Sequence, residues 1–290
     1  MARPLRIEYP GALYHVMSRG NAHQDIYLDD KDRRKFLKNL EDCIETHHLI
    51  CHAYCLMNNH YHLLLETLEG NLSKAMRDIN GIYTQGFNKR HGRVGHILQG
   101  RYKAYLIEKE TYLLEITRYI VLNPVRAGLV GQPHLWRWSS CGATSGVSKV
   151  PKWLHIDWVL KFFSADLGCA QKLYRQFVEN VSVGNPYESL KKGVILGSPQ
   201  FVNWIWEKTN GSEDMKDIPR TERVVGRPTL DELFDGVENL EERNATIQLA
   251  RNRCRYLISE ISNHLNLDPS TVGKIACGKY HKGKKSDVRT

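Results

Sequence analysis

The stretch Asn58-Asn59-His60-Tyr61-His62-Leu63-Leu64-Leu65 predicts a strand that follows a tight turn. Successive side chains of a strand point to opposite faces, so His60 and His62 share one face while Tyr61 points to the other. Paired asparagines tolerate the positive φ that tight hairpins need, which predicts a hairpin with a preceding strand at 50–57. Two imidazoles on one face of a strand form a candidate metal site.

The patterns on both sides of this hairpin predict further strands and helices. In chain order they are a strand at 13–18, a helix opened by Asp29 and Asp30, the hairpin at 50–66, a helix at 71–88, a β-like stretch at 95–107, and a helix from 110 that Pro124 stops. The order β-α-β-β-α-β followed by a helix predicts an α+β fold, a ferredoxin-like antiparallel sheet. We expect helices on one face of the sheet and a ligand on the other.

The segment Tyr119-Ile120-Val121-Leu122-Asn123-Pro124 reads as the end of that last helix, where Tyr119 and Asn123 share a face at i, i+4. An amide oxygen from Asn123 added to His60 and His62 gives a mixed nitrogen and oxygen set suited to Mg²⁺ or Mn²⁺. Such a metal beside a phenol predicts attack of Tyr119 on a phosphodiester, with a covalent phosphotyrosine as product.

Simpler interpretations of these side chains remain. Tyr119 alone is typical of an amphipathic tyrosine at a helix end, and other tyrosines lie nearby at 102, 105 and 112. Tyr119 is favoured because it alone has an amide acceptor one turn on and a proline that fixes the helix terminus. His15, on the first strand, is interpreted as a structural core histidine rather than as a partner of the histidine pair.

The charge balance favours a polyanionic partner. The 290 residues contain 41 Lys and Arg against 32 Asp and Glu, a net charge of +9, which favours nucleic acid over the alternative of a basic but ordinary enzyme. A DNA path is predicted from basic and aromatic residues between and beside the two segments, with a solvated charged face as the alternative. These residues are Arg19, Arg90, Arg93, Arg101, Tyr102, Lys103, Tyr105 and Arg126.

The seven cysteines are scattered and form no Cys-x-x-Cys pair, which indicates reduced thiols rather than disulfides or a zinc ribbon. A zinc site from Cys51, His52, Cys55 and His60 is disfavoured, because on a strand His52 points away from both cysteines. No leader and no membrane-length apolar run is recognised, so a cytoplasmic protein is expected.

Beyond a first domain at 1–145, the pattern predicts a helical extension at 146–212, a polar linker at 213–228 and a helical domain at 229–290. In the last of these, apolar residues from Ile247 to Leu265 follow helical steps. A turn and a second helix, capped by Asp268, come next. Helix, turn and helix predict a helix-turn-helix reader of double-stranded DNA, with a plain helical hairpin as the alternative. Its predicted DNA contacts are Ser270, Thr271 and Lys274, and the basic 279–285 tail is expected to be solvated.

Five motifs then stand in a characteristic order within residues 8–145. They are Tyr14-His15-Val16 with Arg19-Gly20-Asn21, Met57-Asn58-Asn59-His60-Tyr61-His62, Gln99-Gly100-Arg101-Tyr102-Lys103, Arg118-Tyr119-Ile120-Val121-Leu122-Asn123-Pro124-Val125-Arg126-Ala127-Gly128, and Trp138-Ser139-Ser140. In these motifs the chain resembles the REP-associated tyrosine transposases, a branch of the single-tyrosine HUH transposases.

The resemblance implies a ferredoxin-like domain that binds single-stranded hairpins of repetitive extragenic palindromes, and nicks and rejoins them through a 5′-phosphotyrosine with Mg²⁺ or Mn²⁺. It implies that His60 and His62 are metal ligands and that Tyr119 is the nucleophile. Related transposases place a glutamine where this chain has Asn123, one methylene shorter. A bacterial, nucleoid-associated monomer or weak dimer is expected. A non-catalytic DNA-binding regulator and a small-molecule metallohydrolase are the competing hypotheses.

Overall fold

The computed structural model of the chain contains a five-stranded sheet in the order β2-β3-β1-β4-β5. The strands are β1 (Ala12–Arg19), β2 (Leu49–Leu56), β3 (His60–Thr67), β4 (Lys103–Ile107) and β5 (Ile195–Leu196). The first four pair antiparallel, and β5 is parallel to β4. The predicted α+β fold with a ferredoxin-like sheet is confirmed, and β5 is an addition that the sequence did not predict.

The structure describes residues 7–179, 186–189, 194–209, 229–237, 239–253, 256 and 258–276. The chain divides into two compact units, one ending at residue 201 and the other beginning at 202. Helices of the first unit are α1 (Asp30–Thr46), α2 (Leu72–His91), α3 (Lys109–Arg126), α4 (Cys141–Thr144), α5 (Asp157–Lys161) and α6 (Leu167–Glu179). The boundary falls within α7 (Pro199–Thr209), and the second unit continues with α8 (Leu230–Phe234), α9 (Leu240–Gln248), α10 (Ile258–Leu265) and α11 (Pro269–Ala276).

Helices cover both faces of the sheet rather than one. The Tyr61 ring packs 4.8 Å from the Phe36 ring of α1, and its hydroxyl donates to Asn80 of α2 at 2.5 Å. His62, the next residue, points to the opposite face, where its ring lies 6.3 Å from that of Tyr119 on α3. The expectation that the second face is free for a ligand is therefore wrong, because α3 packs there and brings Tyr119 to the histidines.

The β2–β3 hairpin is confirmed, but the reason predicted for it is wrong. Neither Asn58 nor Asn59 has a positive φ. The turn is closed instead by the Met57 backbone N–H, which donates to the His60 carbonyl at 2.9 Å. The asparagine side chains make specific bonds, since Asn58 Oδ1 accepts from Arg33 at 2.7 Å.

Helix α3 runs through Pro124 to Arg126 instead of stopping before the proline. Proline lacks the N–H that would bond the carbonyl four residues earlier, here that of Ile120. The Asn123 side chain replaces that donor, because its Nδ2 donates to the Ile120 carbonyl at 3.2 Å. The last turn of the helix thus forms despite the proline.

The described part of the predicted helical extension contains α5 and α6, and it packs on the sheet. The rings of Trp153 and Trp158 lie 5.4 Å from those of Tyr54 and His52, both on β2. Residues 146–201 consequently belong to the same compact unit as the sheet. The predicted linker at 213–228 lies outside the described residues.

The second unit has its own apolar core, which includes Ile247, Ala250, Ile261, Val272 and Ile275. The helical steps beginning at Ile247 do not form one continuous helix. A π-helical turn at Leu249–Arg253 follows α9, and a separate helix, α10, begins at Ile258. Cys254 and Leu257 of this stripe lie outside the described residues, as does the basic tail at 279–285.

The turn between α10 and α11 has the predicted chemistry. Asn266 adopts a left-handed conformation with φ of 51°, and Asp268 Oδ1 accepts from the Ser270 backbone N–H at 2.8 Å. Val272 and Ile275 are buried, while Ser270 and Lys274 are exposed. A helix-turn-helix outline is compatible with this unit, and its role stays a prediction.

Four of the described cysteines are buried free thiols and Cys169 is an exposed one, as expected for reduced cysteines. Across the part of the chain that the structure describes, no helix is long and apolar enough to cross a membrane.

Candidate active site

An open cavity of about 530 Å³ is lined by residues of the sheet, of α3 and of neighbouring loops. In the register of the sheet, Met17 of β1 lies opposite His62 and Arg19 opposite His60. This pairing places both histidines and Arg19 at one end of the face that α3 covers. The cavity is lined by Met17, Ser18, Arg19, His23, Asn59, His60, His62, Gln99, Arg101, Lys103, Tyr119 and Asn123. The structure therefore brings the predicted ligands and the predicted nucleophile together.

His60 is held by its neighbour in sequence. Its Nδ1 lies 2.7 Å from Asn59 Oδ1. An amide oxygen only accepts, so Nδ1 carries the hydrogen and the lone pair is on Nε2. Burial, and after it the charge of Arg19, lowers the pKa of His60. The ring is neutral at neutral pH, which is the form that binds a metal.

His62 lies deeper in the cavity and is 4% exposed. Its Nδ1 is 2.9 Å from Nε2 of His15, whereas its own Nε2 is buried without a hydrogen-bond partner among the described residues. Burial is the main reason that the pKa of His62 is well below its ordinary 6.5. An unpartnered buried nitrogen costs free energy, and such an atom is expected where a ligand completes the site.

His15 has the burial predicted for a core histidine, and it also contacts the histidine pair. It is fully buried, as a core residue would be, and its ring stacks on that of His62 with centroids 5.1 Å apart. Burial lowers its pKa to about 3, so it too stays neutral near pH 7. The hydrogen bond to His62 makes it more than a space-filling residue.

Tyr119 projects from α3 toward the histidines, and its ring lies 6.1 Å from that of His15. The guanidinium of Arg126, two turns further along α3, lies 4.7 Å from the centroid of the Tyr119 ring. The predicted nucleophile therefore has a predicted DNA-contacting cation directly over its ring. Of the alternative tyrosines, none of 102, 105 and 112 lines the cavity.

Asn123 lines the cavity and is held by hydrogen bonds of its amide nitrogen. Its Nδ2 donates to the carbonyls of Tyr119 and Ile120 at 2.9 and 3.2 Å. Both hydrogens of the amide are thereby used within α3, and within the described chain Oδ1 makes no hydrogen bond. An oxygen of this kind is a suitable ligand for Mg²⁺ or Mn²⁺.

The donor set fits a hard or borderline divalent metal with several open positions. No group of three or more His, Cys, Asp or Glu residues that could hold a metal occurs in the described ranges. The protein ligands would be Nε2 of His60, Nε2 of His62 and Oδ1 of Asn123, which leaves room for phosphate oxygens and water. The absence of thiolates from the cavity lining argues against a closed structural zinc site.

The cavity is basic, because Arg19, Arg101 and Lys103 line it and none of the lining residues is acidic. Arg19 Nε donates to Gln99 Oε1 at 2.8 Å. Arg101 and Lys103 flank Tyr102, which lies outside the lining and donates its hydroxyl hydrogen to Ser73 at 3.3 Å. We refer to Arg19, Arg101 and Lys103 together as the basic rim of the cavity.

Arg90 and Arg93, which the sequence predicted as DNA contacts, do not line the cavity. Arg93 is exposed at the end of α2, where it donates to Gln24 at 3.1 Å. Arg90 binds the carboxylates of Asp29 and Asp32, so its charge is neutralised within the fold. Ser270, Thr271 and Lys274 belong to the second unit.

Several residues that line the cavity or contact its lining were not predicted from the sequence. Asn59 was predicted as a turn residue and as part of the Met57–His62 motif, but not as the hydrogen-bond partner of His60. Tyr187, in a 3₁₀ turn at Pro186–Ser189, packs its ring 5.0 Å from that of Tyr119 and hydrogen bonds to His15 Nδ1. No local pattern connects a residue so far along the chain with this site.

Comparison with known proteins bears on this arrangement. The family model described as "Transposase IS200 like" matches residues 9–123, which contain His60, His62, Tyr119 and Asn123. No curated protein matches the chain. A solved structure of a REP-associated tyrosine transposase bound to a REP hairpin is similar at 19% identity and a TM-score of 0.44, and the alignment covers 58% of this chain and 93% of that one. Residues 9–123 of this chain are thus similar to the IS200-like transposase family.

Proposed function

We propose that this protein is a metal-dependent DNA nuclease and strand transferase that acts on single-stranded hairpins of the repetitive extragenic palindrome type. The observation that carries the proposal is the meeting of His60, His62, Asn123 and Tyr119 in one basic cavity. The family match supports a transposase. A REP hairpin is what the solved transposase compared above binds, and we propose the same substrate class here.

In the proposed reaction the Tyr119 oxygen attacks the phosphorus of a phosphodiester in line with the leaving 3′ oxygen. A bond forms between the phenol oxygen and phosphorus, and the bond from phosphorus to the 3′ oxygen breaks. The phenol proton leaves to solvent, and the 3′ oxygen takes up a proton to give a free 3′-hydroxyl and a 5′-phosphotyrosine. Attack of a 3′-hydroxyl on the phosphotyrosine reverses these steps and rejoins DNA.

The residues of the cavity have distinct parts in this scheme. Bound Mg²⁺ or Mn²⁺ would polarise the scissile phosphate and neutralise the charge that develops on it. His60 and His62 would bind the metal through their Nε2 atoms. Arg126 supplies positive charge beside the nucleophile, and the basic rim binds the phosphates next to the scissile one. Uncharged imidazoles are needed for this, and the lowered pKa of both provides them.

A labelled hairpin library tests the proposal on a denaturing gel. We expect a covalent protein–DNA band with Mn²⁺ and none with EDTA, since the phosphate is activated only in the presence of the metal. Hairpins retarded on a native gel but never linked covalently, with any metal, would instead favour the non-catalytic regulator. Weak binding that hardly changes between about 50 and 200 mM salt would favour a small-molecule hydrolase, because phosphate-contacting proteins lose about 10³-fold or more.

We also propose that the second unit binds double-stranded DNA through α11. Ser270 and Lys274 are exposed on this helix, whereas Val272 and Ile275 hold it to the apolar core. Ile258 on α10 lies 3.6 Å from the position that a Cβ at Gly273 would occupy, so this side of α11 faces α10. This leaves one face of α11 for phosphates and bases.

Charge reversal tests this second proposal in the full chain. Lys274→Glu should weaken duplex binding. It should also reduce the magnitude of the slope of log affinity against log salt concentration by about 1, the value for one lost phosphate contact. Lys172→Glu, the same change at an exposed position of α6, serves as the control. Fluorescence anisotropy with a labelled duplex measures both. Equal affinity of the two variants would show that α11 does not contact DNA.

A further inference from the structure

A chain of three polar side chains runs from the cavity into the protein. His62 Nδ1 lies 2.9 Å from His15 Nε2, and His15 Nδ1 is hydrogen bonded to the hydroxyl of Tyr187. His15 is fully buried, so its two ring nitrogens have these partners and no access to water. The opposite end of the chain is His62 Nε2, the buried nitrogen for which the described residues provide no partner.

Only one direction of these hydrogen bonds allows His62 to bind a metal. A neutral imidazole carries one hydrogen, and a ligating Nε2 must keep its lone pair, so the hydrogen has to be on Nδ1. His62 Nδ1–H then donates to His15 Nε2. His15 in turn carries its hydrogen on Nδ1 and donates it to the Tyr187 oxygen. In the reverse direction His15 Nε2–H donates to His62 Nδ1, and the hydrogen of His62 is on Nε2. That nitrogen then has no lone pair with which to bind a metal.

Tyr187 is held in place to accept that hydrogen bond. Its ring stacks on His15 with centroids 5.7 Å apart and packs 4.9 Å from Tyr105. A hydroxyl is able to accept as well as donate, so either direction of the chain leaves His15 Nδ1 with a partner. A phenylalanine at this position could not accept, and the ligating direction would leave a buried N–H of His15 unpaired.

We propose that His15 and Tyr187 are positioning residues of the metal site, which supply the hydrogen-bond acceptors required by the His62 tautomer with its lone pair on Nε2. This proposal rests on the metal dependence put forward under the proposed function. It assigns a part in the site to Tyr187, which lies outside the matched family domain at 9–123.

Titration of the metal-free full chain with Mn²⁺ alone tests the proposal without any measurement of DNA cleavage. His15→Phe keeps a ring at this position but has no acceptor, and it should weaken Mn²⁺ affinity about 10- to 100-fold. His15→Gln places an amide oxygen near the position of Nε2 and should restore most of the affinity. Tyr187→Phe should weaken binding by about three- to tenfold, the effect of one neutral hydrogen bond.

A matched control and a spectroscopic signature separate positioning from packing. Tyr105→Phe also removes one hydroxyl, from a ring whose centroid lies 6.1 Å from that of His15, but in the described ranges that hydroxyl makes no hydrogen bond, so Mn²⁺ affinity should not change. Long-range ¹H–¹⁵N correlation spectra of ¹⁵N-histidine protein report the tautomer directly. We expect the hydrogen of His62 on Nδ1 in the Mn²⁺-free wild type, and a shift toward Nε2 in Tyr187→Phe.

The possible failures are distinguishable. If the wild type binds Mn²⁺ and His15→Phe and Tyr187→Phe bind it equally well, the positioning proposal is refuted and the proposed function stands. If the wild type binds no Mn²⁺, the metal-dependent function is refuted and the positioning proposal with it. Should His15→Phe fail to fold, as judged from its thermal unfolding, Tyr187→Phe and the tautomer spectra decide the question.

Discussion

Tyr119→Phe is expected to lower the rate of covalent protein–DNA adduct formation by about 10⁴-fold or more, while hairpin affinity stays within about threefold of the wild-type value. Phenylalanine keeps the ring that packs against Tyr187, His62 and His15, and it keeps the surface under the Arg126 guanidinium. Only the oxygen that would attack phosphorus is removed. Adduct formation on a denaturing gel and binding on a native gel, with one hairpin and Mn²⁺, measure the two effects separately.

Tyr112→Phe provides the control for this experiment. Tyr112 lies on α3 two turns before Tyr119 and on nearly the same side of the helix, but it does not line the cavity. The control variant should form adducts at the wild-type rate. Adducts that persist in Tyr119→Phe, or that disappear in Tyr112→Phe, would show that the nucleophile has been assigned to the wrong residue.

His62→Asn is expected to lower Mn²⁺-dependent nicking by about 10³-fold, which corresponds to about 4 kcal/mol of transition-state stabilisation. An asparagine side chain reaches the position of the histidine Nδ1, so the hydrogen bond to His15 can be kept while the ligand atom Nε2 is deleted. Because that Nε2 is buried without a partner in the described chain, we expect no loss in the free energy of unfolding. Single-turnover nicking and urea denaturation measure the two quantities.

His48→Asn is the matched control for this variant. His48 is an exposed residue with φ of 49°, a backbone conformation that asparagine readily adopts. Neither its nicking rate nor its unfolding free energy should change appreciably. A His62→Asn protein that is stable but nicks at the wild-type rate in Mn²⁺ would exclude His62 as a metal ligand.

The sequence predicted those parts of the fold and site that depend on local patterns. Alternation along β3 placed His60 and His62 on one face, and helical spacing placed Asn123 one turn after Tyr119. The structure confirms both arrangements, because the periods of strands and helices are properties of the backbone. The expectation that α3 would end before Pro124 was wrong for a local reason as well, since a side chain supplied the missing donor.

What the sequence could not predict depends on contacts between distant segments. Tyr187 is 172 residues from the His15 that it contacts, and no periodic pattern surrounds it. Strand β5 is two residues long, too short for alternation to be recognised. The partnership of His15 with His62 depends on strand register, which is set by the whole sheet rather than by either strand alone.

The parallel pairing of β5 with β4 affects where the chain can be divided. A fragment ending at residue 145 would contain the entire matched family domain, yet it would lack β5 and Tyr187. Its β4 would become an open edge with unpaired backbone groups, a common starting point for aggregation between sheets. A catalytic fragment intended for expression should therefore extend at least to residue 201, where the first compact unit ends.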